Sequence, residues 1–87
     1  LNEILYIESL SGYLTIITDN GTVVTRETIT NIQEKLPEDL FLRIHRSFIV
    51  SLNKIDSYTN EFVEINKKAI PISRSYKVAI LEKLEKN

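Results

Sequence analysis

The sequence predicts a mainly β domain with two helices, an α+β arrangement of short, mostly antiparallel strands, and three observations support it. Runs of β-branched and aromatic residues recur between Ile4 and Ile72, each bounded by polar turn residues. After Thr28 and again after Ser73 the apolar spacing changes from two residues to three and four, the period of a helix. At 87 residues the chain can bury only one modest core, so residues 1–87 are expected to form a single domain.

Ile4-Leu5-Tyr6-Ile7 is the first strand, Glu8 to Gly12 a loop, and Tyr13 to Thr18 the second strand. Asp19-Asn20-Gly21 follows, and Asn20-Gly21 offers two residues tolerant of positive φ, which predicts a type I′ hairpin returning through Thr22 to Thr25. Ile29, Ile32 and Leu36 then define one face of a helix that starts at Thr28 and stops at Pro37, because residues preceding proline avoid the α region. Phe41 to His45 and Phe48 to Val50 are strands interrupted at His45-Arg46-Ser47. Lys54 to Tyr58, Phe62 to Ile65 and Ala69 to Ile72 continue as a meander with a turn at Asn66-Lys67-Lys68, and Pro71 belongs at an edge because it lacks a ladder donor. Ser73 is expected to cap a last helix running to about Leu84, with Val78, Leu81 and Leu84 in register.

Composition narrows the function classes. Apolar residues make up 43% and charged residues 26%, the balance of a folded domain rather than a disordered one. No apolar run exceeds four residues, against the roughly 18 of a membrane span, so no membrane association and a cytoplasmic location are expected. There is no cysteine, which removes disulfides and Cys-based zinc sites. The start at Leu1 and the absence of methionine point to a fragment of a longer polypeptide. Net charge is −1, yet it is unevenly spread: residues 1–42 carry only Arg26 and Lys35 against seven acidic side chains. Residues 43–77 hold Arg43, Arg46, Lys54, Lys67, Lys68, Arg74 and Lys77 against Asp56, Glu61 and Glu64, a candidate footprint for a polyanion.

Catalysis finds little support, since His45 is the lone histidine and no cysteine partners it. With only Gly12 and Gly21 there is no glycine-rich phosphate loop, and the acidic residues lack calcium-loop spacing. No cofactor, metal or small-molecule substrate is expected, and the chain is read as a non-enzyme. Nucleic-acid readout, by contrast, needs donors on a rigid support, and the planar fork of arginine can bond guanine O6 and N7 together. Two clusters qualify. Arg46 stands between His45 and Ser47 at a strand exit, and Arg74 stands among Ser73, Ser75, Tyr76 and Lys77 where the last helix begins. The competing reading gives Arg46 an acidic partner, Asp56 or Glu64, and leaves Ser73 as a simple helix cap.

Phe41-Leu42-Arg43-Ile44-His45-Arg46-Ser47-Phe48-Ile49-Val50 resembles the signature of the LytTR domain family, the C-terminal DNA-binding module of many two-component response regulators. Ile4 to Glu8 with Gly12-Tyr13 is similar to the family's opening, and Ile70 to Tyr76 to its closing segment, so the likeness spans about residues 3 to 84 in three ordered motifs. Gly12, Phe48 and Ser51 stand where the family often has asparagine, tyrosine and asparagine.

The resemblance implies an elongated, mainly β fold in which loops rather than a recognition helix enter the DNA grooves. It implies that Ser11-Gly12-Tyr13 and Arg74 occupy neighbouring major grooves and that Arg46 reaches the backbone or groove between them. It also implies binding in pairs to direct repeats of double-stranded DNA, a bent duplex, and a receiver domain on the N-terminal side. Arg43, His45, Ser47, Lys54, Ser73 and Lys77 are the expected phosphate partners. The alternative is a protein-interaction module that docks a receiver domain or another partner through exposed strand edges.

Overall fold

In the computed structural model, which describes residues 3–86, eight antiparallel strands and two helices form two sheets with a helix against each side. The strands are β1 (Ile4–Leu10), β2 (Tyr13–Thr18), β3 (Gly21–Thr25), β4 (Phe41–His45), β5 (Phe48–Ser51), β6 (Ser57–Tyr58), β7 (Phe62–Ile65) and β8 (Lys68–Pro71). Helix α1 covers Ile29–Lys35 and α2 covers Lys77–Lys86. The larger sheet has the order β3-β2-β1-β5-β4 and the smaller β6-β7-β8. The described residues extend 32 × 26 × 22 Å.

The period-2 pattern explains the layering. Along β5, Phe48 and Val50 face one side while Ile49 faces the other, so both faces of the central strands are apolar. On one face Leu5, Tyr6, Ile44 and Val50 pack with Val63, Ile65 and Ile70 of the smaller sheet, with Ile72 just beyond it and with Ile80 of α2. On the other, Ile7, Leu14, Phe41 and Ile49 are covered by Ile29 of α1, with Ile32 and Leu36 beside it. Thr28 caps α1 as expected, its hydroxyl accepting the Asn31 N–H at 3.1 Å.

Three local expectations are corrected. Strand β1 runs on through Glu8-Ser9-Leu10, because that stretch pairs with Leu14 and Tyr13 on one side and the Ser9 N–H reaches the Ser47 carbonyl at 2.8 Å on the other. The loop shrinks to Ser11-Gly12, and these two residues, at φ 52° and 84°, take the positive-φ turn. In the β2–β3 hairpin Thr18 pairs with Gly21, so the turn residues are Asp19 and Asn20, and neither has positive φ. There the Thr18 hydroxyl holds the chain, accepting from the Asn20 N–H at 3.2 Å and donating to the Gly21 carbonyl at 2.8 Å. Finally, Ser73 leads not into α2 but into a 3-10 turn over Arg74–Tyr76 and makes no capping bond; its hydroxyl lies 3.3 Å from that of Ser75.

The β7–β8 turn repeats the positive-φ geometry without glycine, with Asn66 at 51° and Lys67 at 69°. An L-residue with a long side chain is strained there, and Lys67 is exposed with no side-chain hydrogen bond or ion pair to lose among the described residues. Lys67→Gly is therefore expected to raise the unfolding free energy by about 0.5–1 kcal/mol, the relief of left-handed strain less the entropy glycine adds to the unfolded chain. A denaturant titration showing no gain would count against strain at this turn.

Candidate nucleic-acid interface

Strand direction decides which side chains share a surface. Strands β1 and β4 run toward the Arg46–Ser47 turn and β2 and β5 run away from it, so the Ser11–Gly12 turn and the Arg46–Ser47 turn lie at one end of the larger sheet. The Ser9-to-Ser47 backbone bond ties the two turns together. The third segment joins through another backbone bond, from the Ser73 N–H to the Ile44 carbonyl at 2.9 Å, which brings Ser73, Arg74 and Lys77 to the same end. Segments more than sixty positions apart in sequence thus converge.

Strand β3 ends beside β2 at this end as well, with Thr25 opposite Leu14. The guanidinium of Arg26 consequently lies over the Tyr13 ring, 5.7 Å from its centroid. Arg26 was hidden from the sequence reading by its acidic neighbourhood. Leu10 was missed too: it closes the Ser11–Gly12 hairpin opposite Tyr13 and is 65% exposed, with Tyr13 at 45%, so the hairpin tip carries apolar as well as polar surface. A Cβ built on Gly12 would meet nothing within 4 Å, so the positive φ is what suits glycine there.

Arg26, Arg46 and Arg74 are exposed, and the two ion pairs among the described residues, Lys35–Glu27 and Lys54–Asp19, involve none of them. The carboxylates considered for Arg46 are occupied elsewhere: Asp56 accepts the Asn66 N–H at 2.8 Å and Glu64 accepts the Ser57 hydroxyl at 3.2 Å. His45 accepts the Ser47 N–H at Nδ1, 3.0 Å away, and its ring meets Phe48 edge-on at 5.5 Å. An imidazole accepting at Nδ1 carries its proton on Nε2, which leaves that nitrogen as a donor. Phe48 packs against the core beside Tyr6, so its ring serves packing.

Two expected phosphate partners stand apart. Lys54 lies at the opposite end of the sheet, where it meets Asp19 of the β2–β3 turn at 3.4 Å, because β5 runs away from the Arg46–Ser47 turn. The Asn66–Lys67 turn is at that end too, near Asp56, so Lys54, Lys67 and Lys68 are separated from Arg46 and Arg74. The basic stretch of the sequence is divided between two ends of the molecule. Arg43 is at the converging end but is turned inward, donating to the carbonyls of His45 and Arg46 and to the Gln33 side chain.

Among the described residues no group of three or more His, Cys, Asp or Glu could hold a metal, and no helix is long and apolar enough to cross a membrane.

The chain matches the family model described as the LytTr DNA-binding domain over residues 1–85. It is 33% identical over 82 residues to the sensory transduction protein LytT of Bacillus anthracis, covering 87% of this chain and 33% of that protein. It is 36% identical over 76 residues to the transcriptional regulatory protein NatR of Bacillus subtilis, covering 78% and 33%. The chain thus spans about a third of the length of these curated relatives. The solved LytTr DNA-binding domain of a Bacillus cereus response regulator superposes with a TM-score of 0.86 at 25% identity, covering 95% of this chain and 82% of that one. The family's description names DNA binding, and the antiparallel strands with two helices match the fold of the solved LytTr domain. With a family match along nearly its whole length and three turns converging at one end of the sheet, the chain belongs to the LytTR family of DNA-binding domains.

Proposed function

We propose that residues 1–87 act as one domain that reads double-stranded DNA in a sequence-specific way through the Ser11–Tyr13 hairpin, Arg46 and Arg74. His45, Ser47, Ser73 and Lys77 contact phosphates, with Arg26 added to them and Lys54 and Arg43 removed. The supporting observation is that three turns distant in sequence meet at one end of the sheet, where the exposed guanidinium groups of Arg46 and Arg74, and of Arg26 beside the Ser11–Gly12 hairpin, have no acidic partner among the described residues. Arginines without acidic partners on hydrogen-bonded turns are suited to groove edges and phosphates, since no ion pair has to be broken for them to bind and the turn backbone is already ordered.

The names of the relatives support a wider reading, that this domain is the output module of a cytoplasmic two-component response regulator and follows a receiver domain. On that reading the domain pairs on direct repeats and bends the duplex between them. A second reading, docking of a receiver domain or other protein, rests on edge strand β3, where Val23 and Val24 are 55% and 62% exposed.

Salt separates these readings. A duplex selected by the domain from random DNA should bind with an affinity that falls steeply with ionic strength, the log–log slope being about −0.9 for each phosphate contact. Arg26→Gln should make that slope shallower by about one contact, whereas Lys54→Gln should leave it unchanged. A wild-type slope near zero, or equal losses in the two variants, would remove the proposed interface.

A further inference from the structure

Arg43 makes contacts unlike those of any other cation among the described residues. Its Nε donates to the His45 carbonyl at 2.9 Å, one terminal nitrogen donates to the Arg46 carbonyl at 2.7 Å, and the other to Gln33 Oε1 of α1 at 2.7 Å. The same guanidinium lies 5.9 Å from the centroid of the Tyr76 ring, in the 3-10 turn that begins with Arg74. One planar group therefore joins the Arg46–Ser47 turn, helix α1 and the Arg74 turn. Such a junction is available because β4 is the edge of the larger sheet, so a side chain there can reach elements on both faces.

The Arg46–Ser47 turn needs support from outside. It has two residues, neither with positive φ, and so lacks the primed geometry that matches the twist of paired strands. The register shifts between Arg43 and His45, so the strand is irregular where the turn begins and carbonyls leave the ladder pattern. Arg43 satisfies two of them, at His45 and Arg46, and the His45 ring accepts the Ser47 N–H.

We propose that Arg43 is the positioning residue of the DNA-reading end: it fixes the Arg46–Ser47 turn against α1 and the Arg74 turn, and it contacts no phosphate. This rests on the DNA-binding reading above. The fork is essential to it. A lysine keeps the charge, but its compact ammonium cannot hold two backbone carbonyls and a glutamine oxygen in one plane. Gln33, exposed on α1, orients the far side of the guanidinium and should act through Arg43 alone.

The test compares wild type, Arg43→Lys, Gln33→Ala and the double variant on the selected duplex and on random duplex, at several salt concentrations. Arg43→Lys is expected to bind the selected duplex at least about tenfold more weakly, since it loses several hydrogen bonds, and to discriminate less against random DNA with an unaltered salt slope. Gln33→Ala is expected to weaken binding about threefold, and to add no loss in the Arg43→Lys background, as for residues acting in one network. In the free proteins, the amide resonances of Arg46 and Ser47 should shift in both single variants while the strand resonances far from the turn stay in place. Arg43→Lys binding like wild type would overturn the proposal, as would additive losses or unshifted turn amides. A wild-type domain that binds no duplex removes the DNA reading as well, which distinguishes the two failures.

Discussion

Arg74→Ala is expected to abolish discrimination at one base pair of the bound site, lowering affinity for the selected duplex by about 1–3 kcal/mol while barely changing affinity for random DNA. The expectation follows from the support of this side chain. Ser73 is fixed by its N–H bond to the Ile44 carbonyl, and the Tyr76 N–H closes the 3-10 turn on the Ser73 carbonyl at 3.1 Å. Arg74 therefore leaves a rigid turn, exposed and without an ion pair. With its backbone fixed and no ion pair to break, the planar guanidinium can meet two acceptors of one guanine, whereas the same contact is not available on a mismatched pair. Lys77, one turn later at the start of α2, is a point charge, and Lys77→Ala should weaken binding to every sequence by a similar factor. Competition titrations with single-base substitutions across the site distinguish these patterns. Arg74→Ala losing equally on selected and random duplex would assign it to a phosphate instead.

Local chemistry made most of the elements legible and left their spatial relations hidden. Thr28 and Pro37 bracket α1 because capping and the proline restriction act over a few residues, and the alternation around Phe48-Ile49-Val50 is visible because a strand faces two ways. Register is another matter. Asn20-Gly21 is a strong local signal for a primed turn, but a turn there would put Thr28 opposite Tyr13; the pairing of Thr18 with Gly21 puts Arg26 there instead. A one-residue change in turn position therefore decided whether a fourth arginine was seen at this end of the sheet. Summing charge along the sequence failed for the same reason. Residues 43–77 are basic as a segment, yet the chain crosses the molecule several times within them, leaving Arg46 and Arg74 at one end and Lys54, Lys67 and Lys68 at the other. Family likeness pointed to these segments together where composition could not, because it carries a topology with it.

The largest loss of stability among the substitutions considered is expected at Ile80. Helix α2 has ten residues, too short to persist in water by its own hydrogen bonds, so it depends on packing. Ile80 is its buried residue, 0% exposed among Leu5, Ile44, Val63 and Ile70, with Leu84 and Tyr76 partly buried beside it. Ile80→Ala removes three carbons from a site enclosed by two sheets that cannot both collapse onto the gap, and should lower the unfolding free energy by about 2–5 kcal/mol. Against a typical total of about 5–15 kcal/mol for a small domain, that is enough to populate the unfolded state. Val78, two residues earlier and 72% exposed, provides the control, and Val78→Ala should stay within about 0.5 kcal/mol of wild type. Because Ile44 touches this core and its carbonyl holds the Ser73 N–H, loosening α2 should also free the turn that carries Arg74. Ile80→Ala should then lose discrimination between selected and random duplex even at temperatures where it remains folded. Equal denaturation midpoints for Ile80→Ala and Val78→Ala would show that α2 is not anchored through this side chain, and the link from core to Arg74 would fall with it.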